Sequence, residues 1–429
     1  MTHPTDIATA PRSVAVLGAG IVGLSIALKL HLDGFRVTVV EKGEPMHGTS
    51  YGNAGYLSEA NIFPPASSDM LRQLPKFMLS KEGPLVIKPD YATKMIPWAL
   101  KAVGALKPAS YENIVAGLAS MTTIAYTSFD ELLTAANAQH LLTREGGLVA
   151  FRTLAGLEAK SRSLPIWNSF GLAAERVSAQ LILEMEPELC KEIVGGIFFK
   201  NSGRCSNPRG LGQLYAARLR AAGVEFISDE VRGVEAVAGG VRIHTAGSSF
   251  VSEQVVLAMG FQTGAILQKL DVKVPLVSER GYHLMLPRSG VSLKRPVVFG
   301  EPHFAATSMD EGLRLAGTAE FARAEAPPNM DRAWMLLKLA KRYLPNVNEA
   351  DAKPWMGVRP SLPDGLPAIG LMRDAPRIAY AFGHAHNGLT LSAVTARCVS
   401  ALLQGKKAPV ELERYRMERF LQPERATVS

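Results

Sequence analysis

The chain has 429 residues, long enough for two connected domains rather than one minimal core. Hydrophobic residues make up 47% and charged residues 20%, which excludes a disordered or fibrous protein. The net charge of +8 comes from dispersed Lys and Arg with no basic run, so it does not point to nucleic acid.

Residues 13–17 (SVAVL) are an apolar, β-branched run, the pattern of a buried parallel strand. The turn Gly18-Ala-Gly20-Ile-Val-Gly23 follows at once. Residues 24–32 then read as a helix, with Gly34 at its C-terminal cap. Residues 37–40 (VTVV) predict the next strand, which ends on Glu41. In such a turn Gly18 permits the tight reversal, Gly20 lets the backbone approach a pyrophosphate, and Gly23 lets helix and strand pack closely. The helix start, at Ile21 and Val22, offers unpaired N–H groups to phosphates. Glu41, followed by Lys42, stands where a carboxylate accepts the hydroxyls of an adenosine ribose. Strand, turn, helix, strand and acid in that order predict a dinucleotide site.

A nicotinamide dehydrogenase would continue with regular βαβ units. Here residues 42–57 (KGEPMHGTSYGNAGYL) form a loop instead. Thr49, Ser50, Asn53, Ala54 and Gly55 can supply hydroxyls, an amide and bare backbone to a large polar cofactor. Residues 64–204 are expected to be largely helical, with Pro84, Pro89 and Pro97 breaking the early part. A helix is predicted over 208–223 and strands over 224–227, 231–237 and 241–244, the last two split by a Gly239-Gly240 turn. Residues 254–260 (QVVLAMG) read as a buried strand returning to the first sheet, and Val231 and Gly260 join the expected cofactor contacts. Residues 275–345 alternate apolar and polar, as in GYHLML at 281–286, which predicts an antiparallel sheet roofing the cofactor.

Near the C-terminus, 378–382 (IAYAF) is a strand, Gly383-His-Ala-His-Asn-Gly388 a turn, and 389–403 a helical pattern. A flavin that accepts hydride gathers negative charge at N1 and the C2 carbonyl, and a helix N-terminus is a suitable fixed counter-charge. Gly383, Asn387, Gly388, Leu389 and Thr390 are therefore expected against the cofactor. His384 and His386 lack a third ligand at sensible spacing, so no metal site is expected. Cys190, Cys205 and Cys398 are scattered and odd in number, which suits a reducing cytoplasm better than a disulfide framework. Residues 1–12 lack the apolar centre of an export signal, and no apolar run is long enough for a membrane helix. The expected location is the cytoplasm, with at most peripheral contact at the inner membrane.

With these motifs in place, the chain resembles the D-amino acid oxidase and glycine oxidase superfamily, and within it the bacterial D-amino acid dehydrogenases. The resemblance runs from about residue 14 to 404. Its more specific segments are TSYGNAGYLS at 49–58, GPLVIKPDY at 83–91, RGYH at 280–283, GVRP at 357–360 and GHAHNG at 383–388. It implies an α/β fold in which a Rossmann-like FAD-binding domain is interleaved with a mixed, antiparallel-rich substrate domain. The cofactor domain would hold 12–65, 205–270 and 352–425, and the substrate domain 66–204 and 271–351. It also implies that Arg359 grips a substrate carboxylate and that Tyr282 is an active-site tyrosine, with His386 close by. Glycine-oxidase-like relatives have an arginine in place of His386. Dehydrogenase relatives mostly have lysine and a small residue in place of Arg280 and His283. No cysteine matches the one that links flavin covalently in sarcosine oxidases, so FAD is expected to dissociate.

The implied reaction is oxidative deamination of a small D-amino acid by hydride transfer to FAD, with an acceptor such as a quinone taking the electrons. Alternatives are oxidation of a cyclic D-imino acid (D-proline or cis-4-hydroxy-D-proline), a dioxygen-using oxidase, and a non-catalytic flavin-binding subunit of a larger dehydrogenase.

Overall fold

The computed structural model describes residues 12–66 and 83–421. Two large sheets organise it. The first has six strands in the order Glu225–Ile227, Arg36–Val40, Ser13–Leu17, Gln254–Leu257, Ile378–Phe382 and Ala368–Leu371. Its strands run parallel except the last, which pairs antiparallel at the edge. Both faces are covered, so Ser13–Leu17 is apolar at four consecutive buried positions rather than at alternate ones.

The helix Ile21–Leu32 buries eight of its residues and lies between this sheet and the helices Pro108–Ala135, Pro208–Ala221 and Ser392–Gln404. Gly34, expected as its cap, stands one place beyond the cap residue Asp33 with φ +86°. The Gly34 N–H donates to the His31 carbonyl and that of Phe35 to Leu30, the paired bonds that close a helix through a left-handed residue.

The second sheet has nine strands. Lys353–Ser361, Val277–Leu286, Gly312–Phe321, Phe304–Met309 and Val297–Phe299 are mutually antiparallel neighbours in that order. Gly147–Phe151 then joins in parallel, followed by Gly195–Phe199 and Ala174–Ser178 antiparallel, and Leu85–Ile87 lies parallel to Gly312–Phe321. The sheet is mixed and mostly antiparallel, as expected.

Four expectations about elements need correction. The stretch 64–204, read as largely helical, supplies four strands of the nine-stranded sheet besides its helices. Its strands are short and lie between helices, so no long alternation marks them. Pro97 does not break the helix Pro89–Gly104 but sits inside it, while Pro89 takes the first turn, where its missing N–H costs nothing. Lys353–Ser361, grouped by sequence with the cofactor-binding residues 352–425, instead pairs along its length with Val277–Leu286. The C-terminal helix also starts at Ser392, after a short 3₁₀ turn over Ala385–Asn387, not at Leu389.

The first glycine turn is built by contact. Gly18 has φ +104°, and a Cβ there would come 2.6 Å from the Ala258 carbonyl oxygen. A Cβ on Gly23 would stand 1.9 Å from the Gly18 carbonyl oxygen, which is backbone and cannot swing away. Gly23→Ala is therefore expected to destabilise the chain by about 1–3 kcal/mol through overpacking. Thermal unfolding, with flavin content measured on the same preparation, checks this: an unchanged melting point and full flavin content would refute it.

Candidate active site

The helix Ile21–Leu32 begins at Gly20, which offers no side-chain cap, and its first turn carries no acidic residue. The Ile21 N–H donates to Ser50 Oγ at 3.0 Å, and the Ala19 N–H donates to Glu41 Oε2 at 2.8 Å. Glu41 thus steadies the turn with one of its oxygens. Ser50 Oγ takes the Ile21 N–H, so that group is not unpaired as expected, but the N-terminus has no competing carboxylate, which suits a pyrophosphate, so this cradle fits the expected dinucleotide. Lys42 beside it is exposed.

The loop from Thr49 is pinned from the nine-stranded sheet. Thr49 Oγ1 donates to the Val358 carbonyl at 2.6 Å. Arg314 donates to the carbonyls of Tyr51 at 3.2 Å and Asn53 at 2.6 Å. His283 Nδ1 lies 3.2 Å from the Gly52 carbonyl, and its ring stacks on Trp355 at 4.9 Å. Trp355 packs so tightly on Gly52 that a Cβ there would come 1.8 Å from the indole. Asn53 Oδ1 accepts the Gly55 N–H, which shapes the loop, and Gly55 has φ +67°. Ser50, Asn53 and Gly55 therefore all serve the loop's own geometry, and Ala54 lies among them half-buried.

The other cofactor expectations fall in two groups. At the C-terminal turn, Gly383 has φ +79°, Asn387 Nδ2 donates to the Asn61 carbonyl at 3.4 Å and Thr390 Oγ1 to the Tyr56 carbonyl at 3.5 Å. Gly388 is half-buried and Leu389 buried between them. These bonds sew the turn to the segment that follows the Thr49 loop. Val231 instead starts an edge strand of a small three-stranded sheet, opposite Thr245, and Gly260 opens a turn with φ +56°. His384 is a core histidine: Nε2 bonds Thr395 Oγ1 at 3.0 Å, and burial pulls its pKa down to about 4.

Arg359 lies directly across from Glu279 in the register of the two strands. Its Nη1 donates to Glu279 Oε1 at 2.9 Å and reaches the Thr318 carbonyl at 3.5 Å. That carbonyl is turned by a β-bulge, where Thr318 has φ +57°. His386 Nε2 lies 2.9 Å from the same Glu279 oxygen, and Ser361 Oγ donates to the other at 2.5 Å. Burial alone would raise the Glu279 carboxyl; His386, Arg359 and Ser361 override it and hold the group well below the usual carboxylate range. The guanidinium occupies space that only a glycine leaves free, since a Cβ on Gly281 would be 2.3 Å from Arg359 Cζ. Arg359 and His386, named from separate segments, are thus brought together by an acid that sequence reasoning missed. Glu279 had one signal: it is the one acidic residue of its strand, two places before Gly281.

Tyr282 is not brought to this cluster. Alternation along Val277–Leu286 puts Glu279, Gly281 and His283 on one face and Arg280 and Tyr282 on the other. Tyr282 is buried in an apolar cluster, donates to Glu320 Oε2 at 2.5 Å and accepts the Asn329 N–H. Burial and the neighbouring Glu320 push its phenol up to about 12. Arg280, fully buried, meets the same Glu320 at 3.3 Å and donates to the Pro327 carbonyl. Tyr282 is a core group with its bonds met locally, whereas Arg280 is paired with Glu320 but leaves Nε and Nη1 without a hydrogen bond among the described residues.

His283 carries a pH consequence. Burial and the Arg314 charge lower its pKa to about 3. The folded value lies below the unfolded one, near 6.5, so the unfolded chain binds the extra proton first as pH falls. Stability should therefore be full above about pH 6.5 and fall by up to about 1.4 kcal/mol per pH unit toward pH 3. His283→Gln should flatten that acid limb. Melting temperatures of both forms across this range test it, and parallel curves would refute it.

Among the described residues no helix is long and apolar enough to cross a membrane. The model of the FAD-dependent oxidoreductase family (DAO) matches residues 13–402. The chain is 31% identical over 419 residues to a D-amino-acid oxidase of Bradyrhizobium diazoefficiens, covering 96% of this chain and 99% of the relative. It is 26% identical over 411 residues to a D-amino acid dehydrogenase of Rhizobium rhizogenes, covering 93% and 97%. Among solved structures, glycine oxidase from Geobacillus kaustophilus superposes with a TM-score of 0.72 at 22% identity, over 96% of this chain and 99% of that one. L-proline dehydrogenase from P. horikoshii also gives 0.72, at 17% identity over 95% and 98%. With its glycine cradle, pinned loop and matched length, the chain belongs to the FAD-dependent oxidoreductase family, and FAD is its cofactor.

Proposed function

We propose that this enzyme oxidises the Cα–N bond of a small D-amino acid, with the substrate carboxylate held by Arg359. The observation that carries the reading is the Arg359–Glu279–His386 cluster. It joins the substrate sheet to the C-terminal cofactor turn and sets two basic groups around one buried acid. Arg359 is 18% exposed, so part of its fork stays open to a ligand. A planar guanidinium takes a carboxylate by two charge-assisted hydrogen bonds, which fixes the direction of Cα as well as binding it. Glu279 stops the arginine from swinging away, and Gly281 leaves the room for it. Bound FAD would accept the Cα hydrogen as a hydride, that is, with both electrons of its bond. The protein's share is then positioning and exclusion of water, with a neutral amine required so that its lone pair can assist.

The D preference is supported by the names of the curated relatives, D-amino-acid oxidase and D-amino acid dehydrogenase. A cyclic D-imino acid is the second substrate class, since it offers the same carboxylate to Arg359. We further propose a quinone or similar acceptor, with at most peripheral membrane contact. An oxygen-consumption trace run beside an artificial-acceptor assay separates this from a dioxygen-using oxidase. Turnover of D- and L-amino acids by the purified chain tests the rest: faster turnover of L forms across the panel would sink the stereochemical reading, and none at all would leave a flavin-binding subunit.

Arg359→Ala should cost about 2–5 kcal/mol in kcat/KM, because a buried charge pair loses one member. Lys should restore only part of this, since a point charge lacks the two-pronged grip. The decarboxylated analogue should be a poor substrate for the parent and lose little more in the variant. Equal losses on the amino acid and its decarboxylated analogue would make Arg359 structural.

A further inference from the structure

A cavity of about 190 Å³ lies away from Arg359, between the helix Pro108–Ala135 and the segment after the cofactor loop. None of Glu279, Arg359 and His386 lines it. Its inner end is formed by Leu57, Glu59, Thr122 and Thr390, all buried. Its outer end is formed by Arg144, Thr123 and Asn201, all exposed. The cavity therefore opens to solvent and ends on a buried acid.

Glu59 is only 8% exposed. Asn201 bonds its carboxyl, yet Oε2 has no hydrogen-bond partner among the described residues. A buried carboxylate oxygen left unpaired is costly and calls for a partner from outside the chain. Arg144 lines the same cavity but is not within ion-pair distance of Glu59. Its guanidinium lies instead 3.9 Å over the ring of Tyr126. One cavity thus presents an anion at its floor and a cation at its rim, with a gap between them that neither closes. At ~30 Å³ per water the space holds roughly six waters, comparable to the heavy atoms of the smallest amino acids. Thr122 and Thr123 add hydroxyls to the walls.

We propose that this cavity is a second binding site for a free α-amino acid, with the ligand's ammonium on Glu59 and its carboxylate on Arg144. Glu279, Arg359 and His386 do not line the site, which shares Thr390 with the expected cofactor contacts, and the proposal does not depend on the substrate reading above. Burial also pushes the Glu59 carboxyl up to about 7, against the opposing pull of Asn201 and Arg144. The ligand's ammonium selects the ionised carboxylate, so affinity should rise as pH passes upward through that value. The other titratable groups against Glu59, Tyr56 and Tyr126, are both shifted upward by burial and stay neutral over this range.

The test is calorimetric titration of D-alanine, without electron acceptor, into the FAD-loaded Arg359→Ala form, in which the first site is disabled. One saturable site per chain is expected, with ethylamine and propionate each at least about tenfold weaker because each lacks one charge. Adding Glu59→Gln or Arg144→Ala should weaken D-alanine by a similar factor, and the affinity of the Glu59 form should rise between about pH 6 and 8. If Glu59→Gln loses FAD, the exposed Arg144→Ala decides alone. No saturable binding, binding untouched by Arg144→Ala, or ethylamine as tight as D-alanine would overturn the proposal. The oxidation reading fails on a different measurement, the turnover of the parent enzyme.

Discussion

The backbone carbonyls of Tyr51, Gly52 and Asn53 set the constraint on which the site depends. They lie in a loop wedged between the cofactor sheet's turn and the nine-stranded sheet, where water cannot reach freely. These residues are half-buried, and a carbonyl shut away from water without a donor costs on the order of 1–3 kcal/mol, so donors from the opposite sheet favour the loop's seat here. Arg314 serves two of the carbonyls and His283 the third. Thr49 returns the favour by donating to Val358, two residues before Pro360 and next to Arg359. The cofactor loop and the arginine strand are thereby fixed to one another. The proposed carboxylate clamp is useful only if its position against the cofactor is fixed, and these bonds tie the arginine strand to the cofactor loop.

A second constraint acts one layer further in. Burying the Glu279 carboxylate would be prohibitive alone and becomes tolerable because both its oxygens are met, one by Arg359 and His386 and the other by Ser361. The acid is not ornament to the arginine. Without it, nothing would draw Arg359 and His386 together, and the Gly281 slot would hold an arginine free to turn toward solvent. The single strand Val277–Leu286 does this on one face, while on its other face Arg280 and Tyr282 close a second buried charge group around Glu320.

That two-faced strand also shows what sequence could and could not carry. The first glycine turn was legible because its parts are neighbours in the chain: strand, turn, helix and acid lie within 13–41. Arg359 and His386 were legible as members of short motifs. Glu279, Ser361 and Arg314 were not, because each acts on a residue from a different strand or loop and no spacing encodes that pairing. The resemblance puts Tyr282 beside the substrate, but a strand offers alternate residues to opposite faces, and only the register with Lys353–Ser361 and Gly312–Phe321 decides which face it takes. The strands within 64–204 stayed hidden for the same reason, since Gly147–Phe151 and Gly195–Phe199 are buried runs that periodicity cannot distinguish from helix.

Two buried acids in one chain, Glu279 and Glu59, differ in a way that bears on both sites. Both lose water on folding, and for both that loss favours the protonated form. At Glu279 the protein supplies every partner, and the group stays ionised with its direction fixed. At Glu59 the described residues supply Asn201 and Arg144, none of them bonds Oε2, and space is left beside it. If evolution had needed only stability there, a neutral or apolar side chain would serve better than a half-satisfied carboxyl. A carboxylate whose partners are all internal positions something else; one whose partner is missing, at the end of an open cavity, is placed to receive it from outside.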